Sequence, residues 1–521
     1  MYSTRHALKF FALSSSALLL SGCVATLSKP SWLPKGFSDD QPHLSQLEPG
    51  KHSDGWKTQG VDTDVKQEQS AGLGLVVLPA LEAQLNGELQ TIKDTIGFPE
   101  LPGKAYILAS PTMNAMAKAD GNIYIPIGMV MDIDSTDEMV ALLAHELGHV
   151  LLNHTDTDLL TEIQKKGSTA WAVANQLSND TAGAELSRRV RNTLTFSLAA
   201  DRLLHPTWNR QQELAADKLA MDILVATGRD PNALIVLLHR LDRWEEINKS
   251  LEDDSKERTS LLVSAATAKF AKEGWQAAMM QALTPAGLAI EDAVDDMANT
   301  HMSTETRLEA ANEYLRRHYR RVDRPAAETR RWRRVAHAPE VKRQAAAVKQ
   351  AYTTYIQLLN GNTSAAARSL KRIPAREGRQ QNYYRMLQAM VAEEGNKHAE
   401  VAGIAGAARE LQYPSYRLLV MEERARQALA PAPQLDSVRT LYASFDTYGR
   451  PAHYYADLIQ LAGQTGDLPF KYDVLLRCYA ANFGQHAACD DASTTHAEAD
   501  AASKQGSGVM GSLLGVFGGF K

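Results

Sequence analysis

The chain has few cysteines, no long apolar run and no large excess of either charge, and each of these excludes a class of protein. Only three of the 521 residues are cysteines, so the fold is not a scaffold held together by several disulfides. No apolar run reaches the roughly 20 residues that a membrane-spanning helix needs. Neither sign of charge is in large excess, since the formal net charge is −5, and 44% of the residues are hydrophobic. This is an ordinary composition for a globular protein.

The amino terminus predicts export and lipid attachment. Two basic residues precede an apolar stretch, Phe10–Leu20, that is too short to span a bilayer. The following Ser-Gly-Cys23 resembles the cleavage site of a bacterial lipoprotein signal, in which the cysteine carries the lipid. We therefore expect residues 1–22 to be a signal peptide and Cys23 to be lipidated, with a simple secretory signal as the alternative. By resemblance to sorted lipoproteins, Val24 after the cysteine indicates the outer membrane, facing the periplasm.

The most informative pattern is His145-Glu-Leu-Gly-His149, which follows an apolar, helix-favouring run. Two histidines four residues apart lie on one face of a helix, so both can bind one metal ion. Glu146 follows the first histidine, where its carboxylate can contact a metal-bound water. The pattern predicts a zinc-dependent peptidase with Glu146 as the general base. For so short a motif, a buried helix with a hydrogen-bonded histidine pair is the alternative.

A third metal ligand is available further along the chain. Glu213 and Asp217 are four residues apart on an Ala/Leu-rich helix, and burying two carboxylates on one apolar face is costly without partners. Zinc bound to Glu213 and an imidazole N–H bound to Asp217 would satisfy both. We therefore predict one Zn²⁺ per chain, held by His145, His149 and Glu213. His154 points about 140° away from His149, so we expect it at the helix end or behind the ligands.

These segments resemble the zinc peptidase family of HtpX and the CAAX prenyl endopeptidases, and within it the soluble periplasmic branch typified by the β-barrel assembly-enhancing protease. The likeness extends from about Gly72 to Leu315, nearly half of the chain. It rests on Asn114-Ala115, Gly121–Gly128, Asp137–His154, Glu213-x-x-x-Asp217, Gly228–Pro231, Thr300-His301 and Arg307. The resemblance implies a zincin-like domain with the same three ligands and the same base. The lack of membrane-spanning helices separates the chain from the integral-membrane members.

Two positions depart from the pattern of the family. The family usually has Tyr where Arg229 stands, and Pro where Met302 stands after the later histidine. In the periplasmic relatives a histidine from this later loop caps the zinc and holds the enzyme latent. The resemblance therefore implies that His301 is a regulatory cap, and a loop histidine that faces solvent is the alternative.

A short β element is predicted around Tyr106–Ile127, and we expect Ile123–Pro126 to be its edge strand. Peptidases that accept varied sequences bind the substrate as an added strand, through main-chain hydrogen bonds. Proline fits an edge better than a central strand. A structural strand that covers the core is the alternative. Residues 160–208 are predicted to form a helical insert that serves as a wall or lid of the cleft.

The fold class we predict is mainly α, with the zincin-like domain followed by a helical-repeat domain. Residues 23–70 read as a lipid-anchored flexible tether with a reach of about 40 Å. Residues 71–325 are assigned to the metallopeptidase, 326–490 to tetratricopeptide-like (TPR-like) repeats and 491–521 to a disordered tail.

The repeat prediction rests on loosely recurring tyrosines. Tyr355, Tyr384, Tyr416 and Tyr455 are separated by 29, 32 and 39 residues, which straddles the 34-residue tetratricopeptide unit. Such repeats expose a concave surface for peptides or partner proteins, whereas a plain helical bundle is the alternative. Cys478 and Cys489, with ten residues between them, form a disulfide in an oxidising periplasm or remain two buried thiols.

Nine arginines stand between residues 316 and 334. In a cytosolic protein they would suggest nucleic-acid binding. A secreted lipoprotein is not exposed to nucleic acid, so we do not expect that function here. A charged connecting helix is the default interpretation, and contact with anionic outer-membrane lipid is the other.

Together these patterns predict a lipid-anchored periplasmic zinc endopeptidase that degrades unfolded or misfolded envelope and outer-membrane proteins. We expect the repeats to dock these clients or the outer-membrane assembly machinery, and we expect no nucleic acid partner. A chaperone or assembly scaffold with a structural or latent metal site is the alternative. Glu146 argues against it, because a structural site does not need that base.

Overall fold

The computed structural model describes residues 38–47, 61–118, 120–154, 210–248, 304–359, 361–412, 414–451 and 454–481, together with Ser250 and Cys489. All of them belong to one compact unit, residues 38–521. The predicted signal peptide with Cys23, the predicted insert at 160–208, His301 and the predicted tail at 491–521 lie outside the described residues.

The described fold is mainly helical, as predicted, with one small sheet. The strands are β1 (Ala105–Leu108), β2 (Met116–Ala117) and β3 (Ile123–Pro126). The helices of the peptidase region are α1 (Val61–Ser70), α2 (Pro79–Thr95), α3 (Ile127–Asp132), α4 (Thr136–Leu151), α5 (Arg210–Ala226), α6 (Asn232–Leu238), α7 (Thr304–His318) and α8 (Thr329–Ala336). The helices that follow are α9 (Pro339–Leu359), α10 (Thr363–Leu370), α11 (Ala375–Gly378), α12 (Asn382–Glu394), α13 (His398–Ala407), α14 (Tyr416–Leu429), α15 (Leu435–Phe445), α16 (Tyr455–Gln464) and α17 (Leu468–Ala481). Short 3₁₀ turns lie at His43–Gln46, Ala408–Glu410 and Asp446–Tyr448.

The sheet has the order β1-β3-β2, so the expectation that Ile123–Pro126 is an edge strand is wrong. β3 pairs in parallel with β1 and antiparallel with β2, and all four of its residues are buried. Pro126 is tolerated in this central strand because it is the last residue and also the residue that caps α3. The outer side of β1 is covered by residues 74–76, since the Val76 N–H donates to the Ile107 carbonyl at 2.8 Å.

Helix α4 is the centre of the peptidase region, and every one of its residues is buried. It begins where the Ser135 hydroxyl accepts the N–H of Glu138 at 3.2 Å, a capping arrangement that satisfies one of the free N–H groups of the first turn. Helices α2, α5, α6 and α8 and strands β2 and β3 pack around it. An apolar helix covered on all sides can keep polar groups in its last turns away from water.

Part of the segment that we expected to be a tether is packed into the fold instead. In the first described stretch, the Leu44 N–H donates to Asp222 Oδ2 of α5 at 2.8 Å, and the His43 N–H donates to the Tyr314 hydroxyl of α7 at 2.9 Å. Helix α1 is likewise bound, with Asp64 Oδ1 at 2.6 Å from the Lys118 ammonium. Sequence reasoning missed these segments because their polar residues bind other buried polar groups rather than water.

From α9 onward, the chain forms a helical array in which neighbours along the sequence pack together. Helices α12, α14 and α16 begin at Asn382, Tyr416 and Tyr455, at or within two residues of three of the recurring tyrosines. Tyr355, Tyr416 and Tyr455 are buried, but at the second position Tyr383 rather than Tyr384 is the fully buried ring. Cys478 and Cys489 form a disulfide inside this array.

The array and the peptidase region meet along α1, and also where α9 packs on α3. The Tyr416 N–H donates to the Ser70 hydroxyl at 2.8 Å, and the Tyr454 hydroxyl donates to the Ser70 carbonyl at 3.1 Å. On α8, the buried Trp332 donates its indole N–H to the Ile133 carbonyl at 2.8 Å, so α8 packs with the peptidase region although we had assigned it to the repeats. Within the described part of the chain, no helix is long and apolar enough to cross a bilayer.

Candidate metal centre

The last turns of α4 and the first turn of α5 bring three metal-binding groups together. The Nε2 atoms of His145 and His149 are 3.1 Å apart, and the Glu213 carboxylate oxygens lie 3.7 Å and 3.6 Å from them. Ligands 2.0–2.1 Å from a tetrahedral zinc ion are separated by about 3.3 Å. The spacing of the three side chains therefore fits such an ion, and all three are buried.

A glycine in the motif lies where the two helices cross. Gly148 faces Ala216 of α5, and a Cβ atom built on Gly148 would lie 3.4 Å from the Ala216 Cα and 3.5 Å from its Cβ. Two small residues at this crossing allow the backbones to come near each other. As a result, the short Glu213 side chain can reach the histidines of α4.

Behind the ligands, Arg307 of α7 binds both carboxylates of α5. Its Nε and Nη2 donate to the two Asp217 oxygens at 2.8 Å and 2.7 Å, and its Nη1 lies 2.9 Å from Glu213 Oε2. Burial opposes ionisation of Asp217, but the guanidinium charge outweighs it and holds the pKa of Asp217 well below its usual range. Arg307 thus keeps Asp217 charged in a buried site, and it forms an ion pair with Glu213.

Asp217 also approaches the first ligand. The His145 Nδ1 lies 3.0 Å from Asp217 Oδ1, close enough for an ion pair, although the angle is too oblique for a well-formed hydrogen bond. Burial lowers the pKa of His145, and Asp217 more than restores it, so the net direction is upward. The Nδ1 edge of the ring is thus directed at a carboxylate, which leaves Nε2 for a metal ion.

His149 is oriented by His154, the residue that we expected behind the ligands or at the helix end. The two Nδ1 atoms are 3.0 Å apart. The chain returns there because Asn153 has a φ of 53° and the His154 N–H bonds back to the His149 carbonyl at 2.8 Å, which is the pattern of a Schellman cap. Burial lowers the pKa of His154 to about 3, so the ring is neutral and can accept the His149 Nδ1–H.

Glu146 lies between the ligands and the sheet. It is buried, and burial raises the pKa of its carboxyl to about 7 in the absence of a metal ion. The backbone N–H of Ala117 in β2 points toward this carboxylate. The neighbouring Lys118 N–H bonds inward to the Asn122 carbonyl at 2.9 Å, so the alternation along a strand directs that of Ala117 to the other side.

The segment that leads into β2 is fixed by an asparagine from the helical stretch 241–248. The Met113 N–H donates to Asn248 Oδ1 at 2.9 Å, and the Asn248 amide donates to Asn114 Oδ1 at 2.5 Å. Asn248 therefore holds the residues that lead into β2 through both its amide oxygen and its amide nitrogen.

The structure thus brings together five side chains that the sequence singled out: His145, Glu146, His149, Glu213 and Asp217. Sequence reasoning missed the role of Arg307, although the buried pair Glu213 and Asp217 called for a cation. The departure at Arg229 has a structural explanation, because its guanidinium donates to Asp137 Oδ1 and to Glu88 Oε2, each at 2.8 Å. It binds the first turn of α4 to α2, far along the helix from the ligands.

His145, His149 and Glu213 surround one point, and Glu146 lies on the same helix as the two histidines. This arrangement is that of a metallopeptidase site. The comparison with known families agrees: residues 79–315 match the model of peptidase family M48. The resemblance read from the motifs is therefore confirmed.

Curated relatives match only part of their own length. Over 138 residues the chain is 28% identical to metalloprotease LoiP of Escherichia coli, which covers 26% of this chain and 51% of that one. Over 140 residues it is 24% identical to the β-barrel assembly-enhancing protease of Escherichia coli, covering 27% and 28%. Metalloprotease YcaL of the same organism is 29% identical over 125 residues, covering 24% and 44%. The chain thus spans about half, or less, of the length of these relatives.

Proposed function

We propose that this chain is a zinc-dependent endopeptidase with one Zn²⁺ held by His145, His149 and Glu213. The observation that carries the proposal is the mutual spacing of their ligand atoms, all within 4.8 Å of one another, beside a glutamate on the same helix. Bound zinc would polarise the scissile carbonyl and lower the pKa of a water molecule toward neutrality. Two imidazoles and one carboxylate are a ligand set that zinc uses in catalytic sites.

The protein's own residues then have defined roles. Glu146 accepts the proton of the attacking water and passes it to the leaving amine. Asp217 and His154 orient the two imidazoles from behind, and Arg307 keeps Asp217 charged and binds Glu213. Because Arg307 already binds Asp217 through two hydrogen bonds, the ligand set is preorganised before a metal ion arrives.

Strand β2, rather than β3, is the candidate for binding the substrate main chain. Among the described residues β2 pairs only with β3, and its other side faces Glu146 through the Ala117 N–H. A peptide that adds to this side as a strand would pass directly beside the metal centre. Main-chain pairing of this kind would let the enzyme accept varied sequences.

We assign the enzyme to quality control of misfolded envelope and outer-membrane proteins, lipid-anchored through Cys23 and facing the periplasm. The lipoprotein-like amino terminus and the likeness to a β-barrel assembly-enhancing protease support this. The helical array would act as a TPR-like docking domain for clients or assembly partners. A cavity of about 490 Å³ between α12, α14 and α16, lined by Arg424, Gln460 and Gln464 among others, offers room for a peptide segment.

The second candidate function, a chaperone or scaffold, is favoured by one observation. Leu468, Tyr472 and Leu476 lie along one side of α17, and about half of each side chain is exposed. An apolar stripe exposed on a helix is suited to holding unfolded chains. If this were the main activity, the protein would bind casein without cleaving it.

The test is digestion of casein by the chain from Val24 onward, with the zinc content measured on the same sample. We expect cleavage and one zinc per chain in the wild type, and no cleavage with zinc retained in Glu146→Gln. Glu340→Gln, at an exposed position on α9, is the matched control and should cleave normally. One zinc per chain without cleavage would favour the scaffold.

Latency through His301 needs a separate arm, since this residue lies outside the described part of the chain. If His301 caps the zinc, His301→Ala should cleave casein faster than the wild type. An unchanged or lower rate would remove the cap from the proposal and leave the peptidase assignment standing.

A further inference from the structure

The stretch from the end of α7 to the end of α8 carries a dense, unneutralised positive charge. All nine arginines between residues 316 and 334 are exposed. Six of them make no ion pair with any residue that the structure describes, and we call these six the arginine surface: Arg316, Arg320, Arg321, Arg324, Arg330 and Arg334. The other three pair with Glu313, Glu88 and Asp134.

This charge contrasts with the rest of the molecule. Residues 316–334 contain nine arginines and two carboxylates, whereas the whole chain has a net charge of −5. Helix α8 shows how the sequence holds the arginines outward, because Trp332 and Ala336 are buried while the arginines between and beside them are exposed. A charged helix that only connected two regions would pair its charges with acidic neighbours, and most of these arginines do not.

The chain enters the fold next to this surface. At Asp39, the second described residue, the backbone carbonyl accepts from Arg317 Nη1 at 3.3 Å and lies 3.0 Å from His318 Nε2. The Asp39 carboxylate is bound by Lys218 of α5 at 2.7 Å. Asp39 therefore lies where the arginine surface begins.

The distance to the predicted lipid site is short. Residues 24–37 separate Cys23 from Ser38, and a chain of that length reaches about 20 Å as a coil and at most about 50 Å when extended. A lipid on Cys23 would thus hold the arginine surface near the bilayer. Electrostatic attraction acts only within a Debye length, about 8 Å at physiological salt, so an anchor at this distance would strengthen a lipid contact that the arginines make by themselves.

We propose that the arginine surface binds anionic phospholipid headgroups and sets the orientation of the protein on the membrane. This rests on the proposed function only for the lipid anchor, which supplies the closeness. Arginine forms bidentate hydrogen bonds to phosphate, and several arginines on one surface bind a fluid anionic bilayer without a shaped pocket. A lipid anchor together with a basic surface gives firmer attachment than either alone.

Vesicle flotation of the chain from Val24 onward tests this without the lipid anchor. This chain retains the whole compact unit, residues 38–521. At about 0.1 M salt we expect binding to phosphatidylcholine vesicles that contain phosphatidylglycerol, and release at about 1 M, where the Debye length is about 3 Å. Vesicles of phosphatidylcholine alone should not bind. Lack of binding to the anionic vesicles would overturn the proposal while leaving casein cleavage, and hence the proposed function, unaffected.

Two variants with equal loss of charge locate the surface. In the first, Arg320, Arg321, Arg324 and Arg330 are changed to Gln, and in the control Lys371, Arg372, Arg376 and Arg379, all exposed on the array, are changed to Gln. Each basic residue near an anionic surface contributes about five-fold to partitioning, so the loss of four should weaken binding about 600-fold. The control should bind like the wild type, and both should keep the wild-type rate of casein cleavage.

Two outcomes would overturn the assignment. Equal weakening in both variants would mean that the vesicles sense overall charge and not this surface. Binding of a DNA duplex at the same salt concentration, without binding of anionic vesicles, would mean that the arginines serve a nucleic acid instead.

Discussion

The peptidase region around α4 and the helical array from α9 to α17 are both built of packed helices, but they bury different side chains. Around α4, the buried groups include Glu146, Asp217 and His149, with Arg307 bound among them. In the array they are chiefly tyrosines and aliphatic residues, such as the cluster around Tyr416. Glu422 is an exception, and it is paired with Arg409 at 2.7 Å.

The two kinds of burial have opposite effects on folding. Burying a charge costs free energy, and its partners offset only part of that cost. The charged cluster on α4, α5 and α7 therefore serves metal binding rather than stability. A buried tyrosine contributes a large apolar area, and its hydroxyl needs one hydrogen bond. Substitutions at the metal centre should therefore impair function more than folding, and substitutions in the array should do the reverse.

Tyr416→Ala should have the largest effect. The ring is fully buried against Phe445, Tyr448 and Tyr454, with centroid distances of 5.2, 5.0 and 5.0 Å. Its loss should lower the free energy of unfolding by about 3–5 kcal/mol, as measured by urea denaturation. Tyr472→Ala, at a ring that is 45% exposed, is the control and should cost under about 1 kcal/mol. Equal losses would mean that the array is not held by its buried rings.

Glu213→Gln is the counterpart at the metal centre. The amide keeps the shape of the side chain, and Arg307 keeps both hydrogen bonds to Asp217, so the urea midpoint should change little. Zinc affinity should fall about 100-fold or more, beyond the usual loss for an outer partner of a ligand, in competition with a chromophoric chelator. Glu313→Gln on the exposed side of α7 should bind zinc normally. Unchanged affinity in Glu213→Gln would remove this residue from the ligand set.

The disulfide offers a smaller effect confined to the array. Changing both Cys478 and Cys489 to Ala opens a short loop and should lower the free energy of unfolding by about 2–3 kcal/mol. Zinc affinity and casein cleavage of the folded protein should stay at wild-type values, since the bond lies in the cluster of the last array helices. A loss of zinc affinity would show that the array and the metal centre are coupled more closely than their packing indicates.

The sequence could predict the metal centre better than its surroundings, for a physical reason. His145, Glu146 and His149 are fixed by helix geometry within one turn, and two acids on an apolar helix need partners. Arg307, by contrast, reaches Asp217 from 90 residues away, and no local pattern encodes that contact.

The predictions of an edge strand at β3 and of a flexible tether before residue 71 were wrong for similar reasons. Strand β2 has two residues, too few to show an alternating pattern. The sequence therefore does not reveal that β2 pairs with β3 and makes β3 the central strand. The sequence of helix α1 is polar, but the helix is packed into the fold because Asp64 and Glu68 form ion pairs with Lys118. Polar composition predicts exposure only when the polar groups lack partners inside the protein.

His154→Phe tests whether His154 supports zinc binding by orienting His149. The substitution keeps an aromatic ring but removes the acceptor 3.0 Å from His149 Nδ1, so His149 loses the partner that fixes its tautomer. Zinc affinity should fall about ten-fold, as for other outer partners. His154→Gln, whose amide oxygen can accept the same hydrogen bond, should recover part of the loss. No recovery would mean that the ring acts by packing alone.

Gly148→Ala should have the smallest effect, although it alters the motif itself. The added Cβ would stand 3.4 Å from the Ala216 Cα, a tight contact but not a clash, and alanine is favoured over glycine inside a helix by about 1 kcal/mol. The two effects should cancel to within about 0.5 kcal/mol in the free energy of unfolding, with zinc affinity unchanged. Gly148→Val adds two methyl groups at the same crossing and should push α5, and with it Glu213, away from the histidines. If alanine already weakens zinc binding as much as valine does, the separation of α4 and α5 must be held to within a few tenths of an ångström. The metal centre would then depend on packing as strictly as the array does.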